Sequence, residues 1–148
     1  MHGSPDQPVH GSCLCGGVRF LITAPFRRAN LCHCSRCRKH SGGAGLAQGR
    51  VPRHGFRLLE GADLIETYRP INGMAKAFCR VCGSSLFGGT WPDGPEISVR
   101  LGSLDGEPPI RPQYHSFVGS KAGWEQLPDD GLPRYEGRKP NPPPSGGA

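Results

Sequence analysis

The chain has 148 residues, of which 35% are hydrophobic, 23 are glycine and 16 are proline, and its formal net charge is +6. This length fits one domain, and so much glycine and proline excludes a helical bundle because both residues are unfavourable inside helices. No apolar run approaches the roughly 20 residues of a membrane-spanning helix, and residues 1–10 lack the charged start and apolar core of a signal peptide. We therefore expect a cytoplasmic protein without membrane contact.

The predicted elements are short β-strands, because runs of β-favouring residues are repeatedly interrupted by Gly, Pro, Asn or Asp. In chain order the predicted strands are Val18–Thr23, Phe56–Glu60, Leu64–Tyr68, Ala75–Phe78, Ser85–Gly88, Ile97–Leu101 and Tyr114–Val118. The helix signal is limited to one or two turns around Ser35–His40. Gly61-Ala62-Asp63 and Ile71-Asn72-Gly73 have the composition of hairpin connections.

The chain divides into one domain and two flanking segments. Residues 1–10 are interpreted as a flexible leader, and residues 136–148 as a disordered Pro/Gly-rich tail. Residues 11–135 are predicted to form a single, mostly β domain. Because its apolar content is low, we expect bound metal to contribute to its folding.

Seven cysteines fall into three tight clusters along the chain. They are Cys13, Cys15, Cys32, Cys34, Cys37, Cys79 and Cys82. An odd number leaves one cysteine over in a fully paired disulfide framework, and thiols persist in the expected reducing compartment. Cysteines two or three positions apart can point at one ion, which is the usual zinc spacing. The pattern therefore favours metal binding over disulfides.

Seven ligands suggest a division into four and three. The outer pairs would build a closed four-thiolate zinc site, and Gly16 and Gly83, which follow these pairs, permit the required turns. The middle cluster would supply three thiolates from one short segment. Two interpretations stay open for it: a histidine closes a second structural site, or the fourth position is open as in catalytic zinc sites. The candidate histidines are His33, His40, His54 and His115.

The metal also changes the meaning of the charge. Four thiolates around Zn²⁺ carry about −2 and three carry about −1, so the metallated chain would have a net charge of about +3. The sequence pI of about 9.2 ignores these thiolates and is a poor argument for nucleic-acid binding.

Three motifs, in order, resemble one known family. Residues 11–20, GSCLCGGVRF, look like the opening motif of the glutathione-dependent formaldehyde-activating enzyme family, which also contains the centromere-protein-V domain. Residues 32–42, CHCSRCRKHSG, resemble its second motif, and residues 78–86, FCRVCGSSL, its third. Trp124 and residues 132–135, LPRY, are similar to its C-terminal segment.

The resemblance implies a β-tent fold of small antiparallel sheets around two zinc ions per chain. The implied ligands are Cys13, Cys15, Cys79 and Cys82 for a structural ion, and Cys32, Cys34 and Cys37, also the implied catalytic residues, for an open one. The family's reaction joins glutathione to formaldehyde through a carbon–sulfur bond. The predicted function is accordingly a zinc-dependent carbon–sulfur lyase that joins or splits a small, glutathione-like thiol and a small aldehyde. Three thiolates leave the open site with a net charge of about −1, which favours thiol binding over activation of water.

Several residues near the middle cluster are weighed for roles in that reaction. Arg36, Arg38 and Lys39 either attract an anionic thiol or form a solvated positive face. His33 is expected to point away because it lies between two ligands, whereas His40 and His115 could reach the site. The two tryptophans, Trp91 and Trp124, are expected to pack in the core or at its rim.

Two other classes of function remain as alternatives. One is a non-catalytic, zinc-stabilised module that binds protein or nucleic acid; nucleic acid is disfavoured because aromatic residues make up only 7% of the chain. The other is a redox or metal-buffer protein that uses Cys34 and Cys37 as a dithiol, although the βαβ context of thioredoxin-like proteins is missing.

Overall fold

The structure is a computed structural model that describes residues 3–140. Its strands are β1 (Val9–Ser12), β2 (Arg19–Ile22), β3 (Arg28–Cys32), β4 (Leu46–Pro52), β5 (Phe56–Glu60), β6 (Ile65–Tyr68), β7 (Ala75–Cys79), β8 (Ser85–Gly89), β9 (Glu96–Arg100) and β10 (His115–Ser116). The α-helix of this part of the chain, α1, covers Ser35–Ser41. Short 3-10 turns lie at Arg53–Gly55, Ala62–Leu64, Leu101–Ser103 and Val118–Ser120.

The strands form two sheets. A three-stranded sheet has the order β1-β2-β5, and a seven-stranded sheet has the order β10-β3-β4-β9-β8-β7-β6. The pairs are antiparallel except for the short parallel pair of β10 with β3. The prediction of a mostly β, single-domain fold is confirmed.

An aromatic core joins the two sheets. Phe20 of the small sheet packs against Phe87 of the large sheet with ring centroids 5.1 Å apart, and Phe87 stacks on Trp91 at 4.2 Å. Phe56 contacts the rings of Phe20, Phe87 and Trp91. Gly11 lies directly against the Phe20 ring, so any side chain at position 11 would displace it.

The other face of the large sheet is buried but polar. Side chains alternate between the faces of a strand, so Ser98 and Arg100 of β9 point away from the core residues Ile97 and Val99. Ser98 is fully buried and Arg100 is 4% exposed. Asn30 of β3 is also buried on the polar side. Polar groups in such a setting need partners, which makes this face a candidate for binding chemistry.

The bounds of the predicted strands and of the predicted helix agree with the structure to within one or two residues at each end. Tyr114–Val118 contains only the two-residue strand β10. Strands β1, β3 and β4 were not predicted.

Ile71-Asn72-Gly73 connects the antiparallel pair β6 and β7, as a hairpin turn does. The hairpin prediction for Gly61-Ala62-Asp63 is wrong, because β5 pairs with β2 and β6 pairs with β7, so this turn carries the chain from one sheet to the other.

The ends of the described chain make backbone contacts. β1 begins at Val9, and its residues pair in register with β2. The backbone oxygens of Glu136 and Gly137 accept hydrogen bonds from Gly119 and Phe117. Residues 141–148 of the predicted tail lie outside the described residues. No helix within residues 3–140 is both long enough and apolar enough to cross a membrane.

Candidate metal centres

Four cysteines from the two sheets meet in one cluster, which we call the four-thiol cluster. Cys13 and Cys15 lie in the turn between β1 and β2, Cys79 is the last residue of β7, and Cys82 lies in the turn between β7 and β8. All four sulfur atoms lie within 4.8 Å of one another. The Sγ atoms of Cys13 and Cys15 are 3.5 Å apart, and those of Cys15 and Cys79 are 3.9 Å apart. Four sulfurs in a tetrahedron around zinc would be separated by about 3.8 Å, so the cluster fits this ion.

The two turns of this cluster share one construction. Gly16 and Gly83 have φ values of 77° and 78°, which side chains rarely tolerate. Their N–H groups donate to the carbonyls of Cys13 and Cys79 at 2.9 and 2.7 Å. The Val18 N–H also donates to the Cys13 sulfur at 3.2 Å, a contact that favours a thiolate.

The second group, the three-thiol cluster, is built from one short segment. Cys32 ends β3, Cys34 is the N-cap of α1, and Cys37 lies in its first turn. Their sulfur atoms also lie within 4.8 Å of one another. Cys32 and Cys37 are buried, whereas Cys34 is only partly so. The Cys34 sulfur accepts a hydrogen bond from the Cys37 N–H at 3.2 Å, which caps the helix.

The ionisation of these three thiols also fits a bound cation. Hydrogen bonds with Cys32 and Cys37 lower the pKa of Cys34, whereas hydrogen bonding within the cluster raises the pKa of Cys32 and of Cys37. Negative charges on three sulfurs at this separation would repel one another, so without a cation only one of the three thiols ionises readily. A divalent cation would allow all three to be thiolates.

The predicted histidine ligands do not join the three sulfurs in the described part of the chain. Nε2 of His33 lies 2.9 Å from Nδ1 of His115, and Nε2 of His115 lies 2.8 Å from a carboxylate oxygen of Asp130. His40 is partly buried but belongs to neither thiol cluster, and His54 is exposed in a 3-10 turn before β5.

The hydrogen-bonded series Asp130, His115 and His33 fixes the segment that carries the three thiols. His115 is fully buried, and β10 pairs with β3 so that Ser116 lies opposite Cys32. The His33 N–H also donates to the Ser116 carbonyl at 3.0 Å. These contacts hold the end of β3 from a part of the chain remote in sequence. Asp130 had no sequence signal, because only the fold places it beside His115.

The three basic residues predicted beside the three-thiol cluster differ in exposure, and Arg38 is partly buried. Arg36 and Lys39 are exposed, and Arg36 donates to the Asn72 carbonyl. The structure instead places Nζ of Lys76, on β7, 3.7 Å from the Cys37 sulfur.

Arg100 and His40 complete this basic surrounding. Burial lowers the pKa of Arg100 to about 10, although the thiols of the cluster oppose that change. Burial also lowers the pKa of His40 to about 4, and the charges of Arg100 and Lys76 add to that effect. Lys76 is opposite Gly88 in the sheet, and the Arg100 guanidinium lies over Gly88, so Lys76 and Arg100 share one sheet face.

The two predicted tryptophans have different positions. Trp91 is in the aromatic core, as predicted. Trp124 is 72% exposed, so it does not belong to the core.

Comparison with known proteins identifies one family. Residues 8–120 match the family described as "Glutathione-dependent formaldehyde-activating enzyme". A protein of Halomonas elongata is 30% identical over 128 residues, which is 80% of this chain and 80% of its own length. A protein of Sordaria macrospora is 27% identical over 90 residues, which is 57% of this chain and 38% of its own length. Both are named "Putative glutathione-dependent formaldehyde-activating enzyme".

A solved structure is also similar in fold. The crystal structure of a Rhodobacter sphaeroides protein superposes with a TM-score of 0.55 and 25% sequence identity. The match covers 68% of this chain and 91% of that protein. The family match described above, over residues 8–120, includes all seven cysteines of the two clusters. The chain therefore belongs to the glutathione-dependent formaldehyde-activating enzyme family.

Proposed function

We propose that this protein is a zinc enzyme that joins a small thiol and a small aldehyde, or splits their adduct, at the three-thiol cluster. The observation that carries the proposal is the difference between the two clusters. One offers four sulfurs, whereas the other offers three and has no further Cys, His, Asp or Glu ligand among the described residues. Closed zinc sites have four protein ligands and catalytic ones commonly have three. We assign the structural ion to the four-thiol cluster and the reactive ion to the three-thiol cluster.

The residues of the second site suit a thiol substrate. A zinc ion held there would lower the pKa of a thiol in the open position and keep it nucleophilic near neutral pH. Cys32, Cys34 and Cys37 would hold that ion, and Lys76 beside Cys37 offsets the surplus negative charge. The partial exposure of Cys34 leaves one side of the cluster accessible to a small molecule.

The proposed reaction is an addition without oxidation or reduction. The thiol loses its proton to solvent, and its sulfur donates an electron pair to the aldehyde carbon. The new carbon–sulfur bond replaces the π bond of the carbonyl, and the oxygen takes a proton from solvent. The product is a hemithioacetal, and the reverse sequence returns the thiol and the aldehyde. Glutathione and formaldehyde are the substrates that the family name suggests, and we propose them as the first pair to test.

The proposal is tested by NMR exchange spectroscopy on mixtures of glutathione and formaldehyde with the zinc-loaded protein. We expect the protein to accelerate exchange between the free and the hydroxymethylated thiol. Mild chelation should lower the zinc content from about two to about one per chain, because four thiolates retain zinc better than three. The acceleration should then disappear while the circular dichroism spectrum is unchanged.

Three results would contradict the proposal. A zinc content that never exceeds about one per chain would remove the second site. Acceleration that survives loss of the labile ion would separate catalysis from the three-thiol cluster. If no thiol and aldehyde pair reacts faster while both ions stay bound, the alternative of a non-catalytic binding module is favoured.

A further inference from the structure

The guanidinium of Arg100 is buried beside the three-thiol cluster without a carboxylate partner. Arg100 is 4% exposed. Its Nη1 donates to the amide oxygen of Gln48 at 2.8 Å and to the Ser98 hydroxyl at 3.4 Å, and its Nε donates to the Ser85 hydroxyl at 3.3 Å. Nη2 is buried and has no hydrogen-bond partner among residues 3–140. A buried charged donor without a partner is costly, so this nitrogen calls for an acceptor.

The surroundings of Arg100 are positive. Strand register places Lys76 opposite Gly88 and Gly88 opposite Ser98, so Lys76 lies on the same sheet face as Arg100. Nε2 of His40, on α1 three residues after Cys37, is also buried without a partner in the described chain. Glu96, the acidic residue of β9, already pairs with Arg27 and Arg28 and does not serve this cluster.

The sheet leaves room for this guanidinium at Gly88. A Cβ atom at position 88 would lie 2.5 Å from Nη2 of Arg100. The missing side chain on β8 therefore lets the Arg100 guanidinium lie over position 88, which is opposite Lys76 on one side and Ser98 on the other. Because Nζ of Lys76 lies 3.7 Å from the Cys37 sulfur, this sheet face runs from the guanidinium to the three-thiol cluster.

We propose that Arg100, together with Lys76 and His40, binds a carboxylate of the thiol substrate, so that the site selects thiols that carry a carboxylate. This inference rests on the proposed function, since it assumes that a thiol occupies the three-thiol site. A carboxylate would supply the acceptor that Nη2 lacks, in a charge-assisted hydrogen bond. The competing explanation is that Arg100 only balances the charge of the thiolates. That role would change metal affinity but would not distinguish acidic from neutral thiols.

The test uses the full chain loaded with cobalt(II), whose sulfur-to-metal absorption reports thiol binding. Mercaptoalkanoic acids of increasing length are titrated against their amides, which have the same shape but no charge. We expect one length of acid to bind at least about tenfold more tightly than its amide. Arg100→Gln should reduce that ratio to about one and leave amide binding unchanged. The matched control is Arg36→Gln, which removes the same charge from an exposed position and should keep the ratio.

Each outcome decides between the possibilities. If acids and amides bind equally at every length, or if Arg100→Gln keeps the preference for acids, the proposed carboxylate site at Arg100 is wrong and the proposed function stands. If no thiol changes the cobalt bands, both the proposed function and the proposed carboxylate site are wrong. Should Arg100→Gln not fold, acetate at constant ionic strength replaces it as the probe with wild-type protein. Acetate should weaken binding of the acid and not of the amide, and an equal effect on both would overturn the inference.

Discussion

Replacing Cys79 with alanine is expected to unfold the domain. Cys79 ends β7 in the large sheet, is fully buried, and its sulfur lies 3.9 Å from that of Cys15 beside the small sheet. The proposed structural ion therefore joins the two sheets across 64 positions of the chain. Structural zinc contributes about 10–16 kcal/mol in small zinc domains, as much as the whole stability of about 5–15 kcal/mol of an ordinary protein. We expect Cys79→Ala to lose its cooperative thermal transition, as measured by circular dichroism.

The matched control is the same substitution in the other cluster. Cys34→Ala removes a sulfur from the three-thiol cluster, at a partly exposed position, without touching the connection between the sheets. Equal destabilisation of the two variants would show that both clusters are structural, and an unchanged melt of Cys79→Ala would exclude a structural ion at the four-thiol cluster.

Cys34→Ala is expected to fold, to retain one zinc ion and to lose catalysis. Its sulfur caps α1 by accepting the Cys37 N–H, and loss of a cap costs about 1 kcal/mol. The melting temperature should therefore fall by only a few degrees. Two remaining thiols bind zinc poorly, so we expect the thiol–aldehyde exchange rate to fall by about 100-fold or more. Elemental analysis and exchange spectroscopy on the same sample measure both effects. Full catalysis with one ion per chain would place the reaction elsewhere.

The thiol clusters could be predicted from the sequence because their geometry is local. Each pair or triplet of cysteines lies within six residues of chain, so spacing alone brings the sulfurs together. Gly16 and Gly83 show the same turn chemistry in sequence and structure. The two outer pairs were assigned to one cluster because a closed zinc site needs four ligands and each pair supplies two. The structure brings these four sulfurs together.

Strands β3 and β4 were not predicted because their polar residues, which look exposed in the sequence, are buried or half-buried in the sheet. β3 reads RANLC and β4 reads LAQGRVP, with little of the β-branched or alternating apolar pattern that marks a strand. In the structure Asn30 pairs in register with Gln48, and Gln48 with Arg100. A sheet whose second face is polar but covered does not produce the usual hydrophobic alternation.

The basic groups of the second site could not be located by spacing. Lys76 and Arg100 are 39 and 63 positions beyond Cys37 in the sequence. Only the pairing of β7, β8 and β9 places the two residues on one face of the sheet. One signal was present in the sequence. Arg100 follows Ile97-Ser98-Val99 in a predicted strand, and alternation puts it on the Ser98 face, away from the core. The exposed residues Arg36 and Lys39 attracted the prediction because they adjoin the cysteines.

The number of thiolates around the second metal tests the central claim most directly. Cobalt(II) replaces zinc in both sites, and the intensity of the sulfur-to-cobalt bands reports how many thiolates surround the two ions. Glutathione should raise that count from about seven to about eight, because its sulfur completes the tetrahedron at the three-thiol cluster. The increase should be weaker in Cys34→Ala. An unchanged spectrum with glutathione and with every other small thiol would contradict the claim that this cluster binds a thiol substrate.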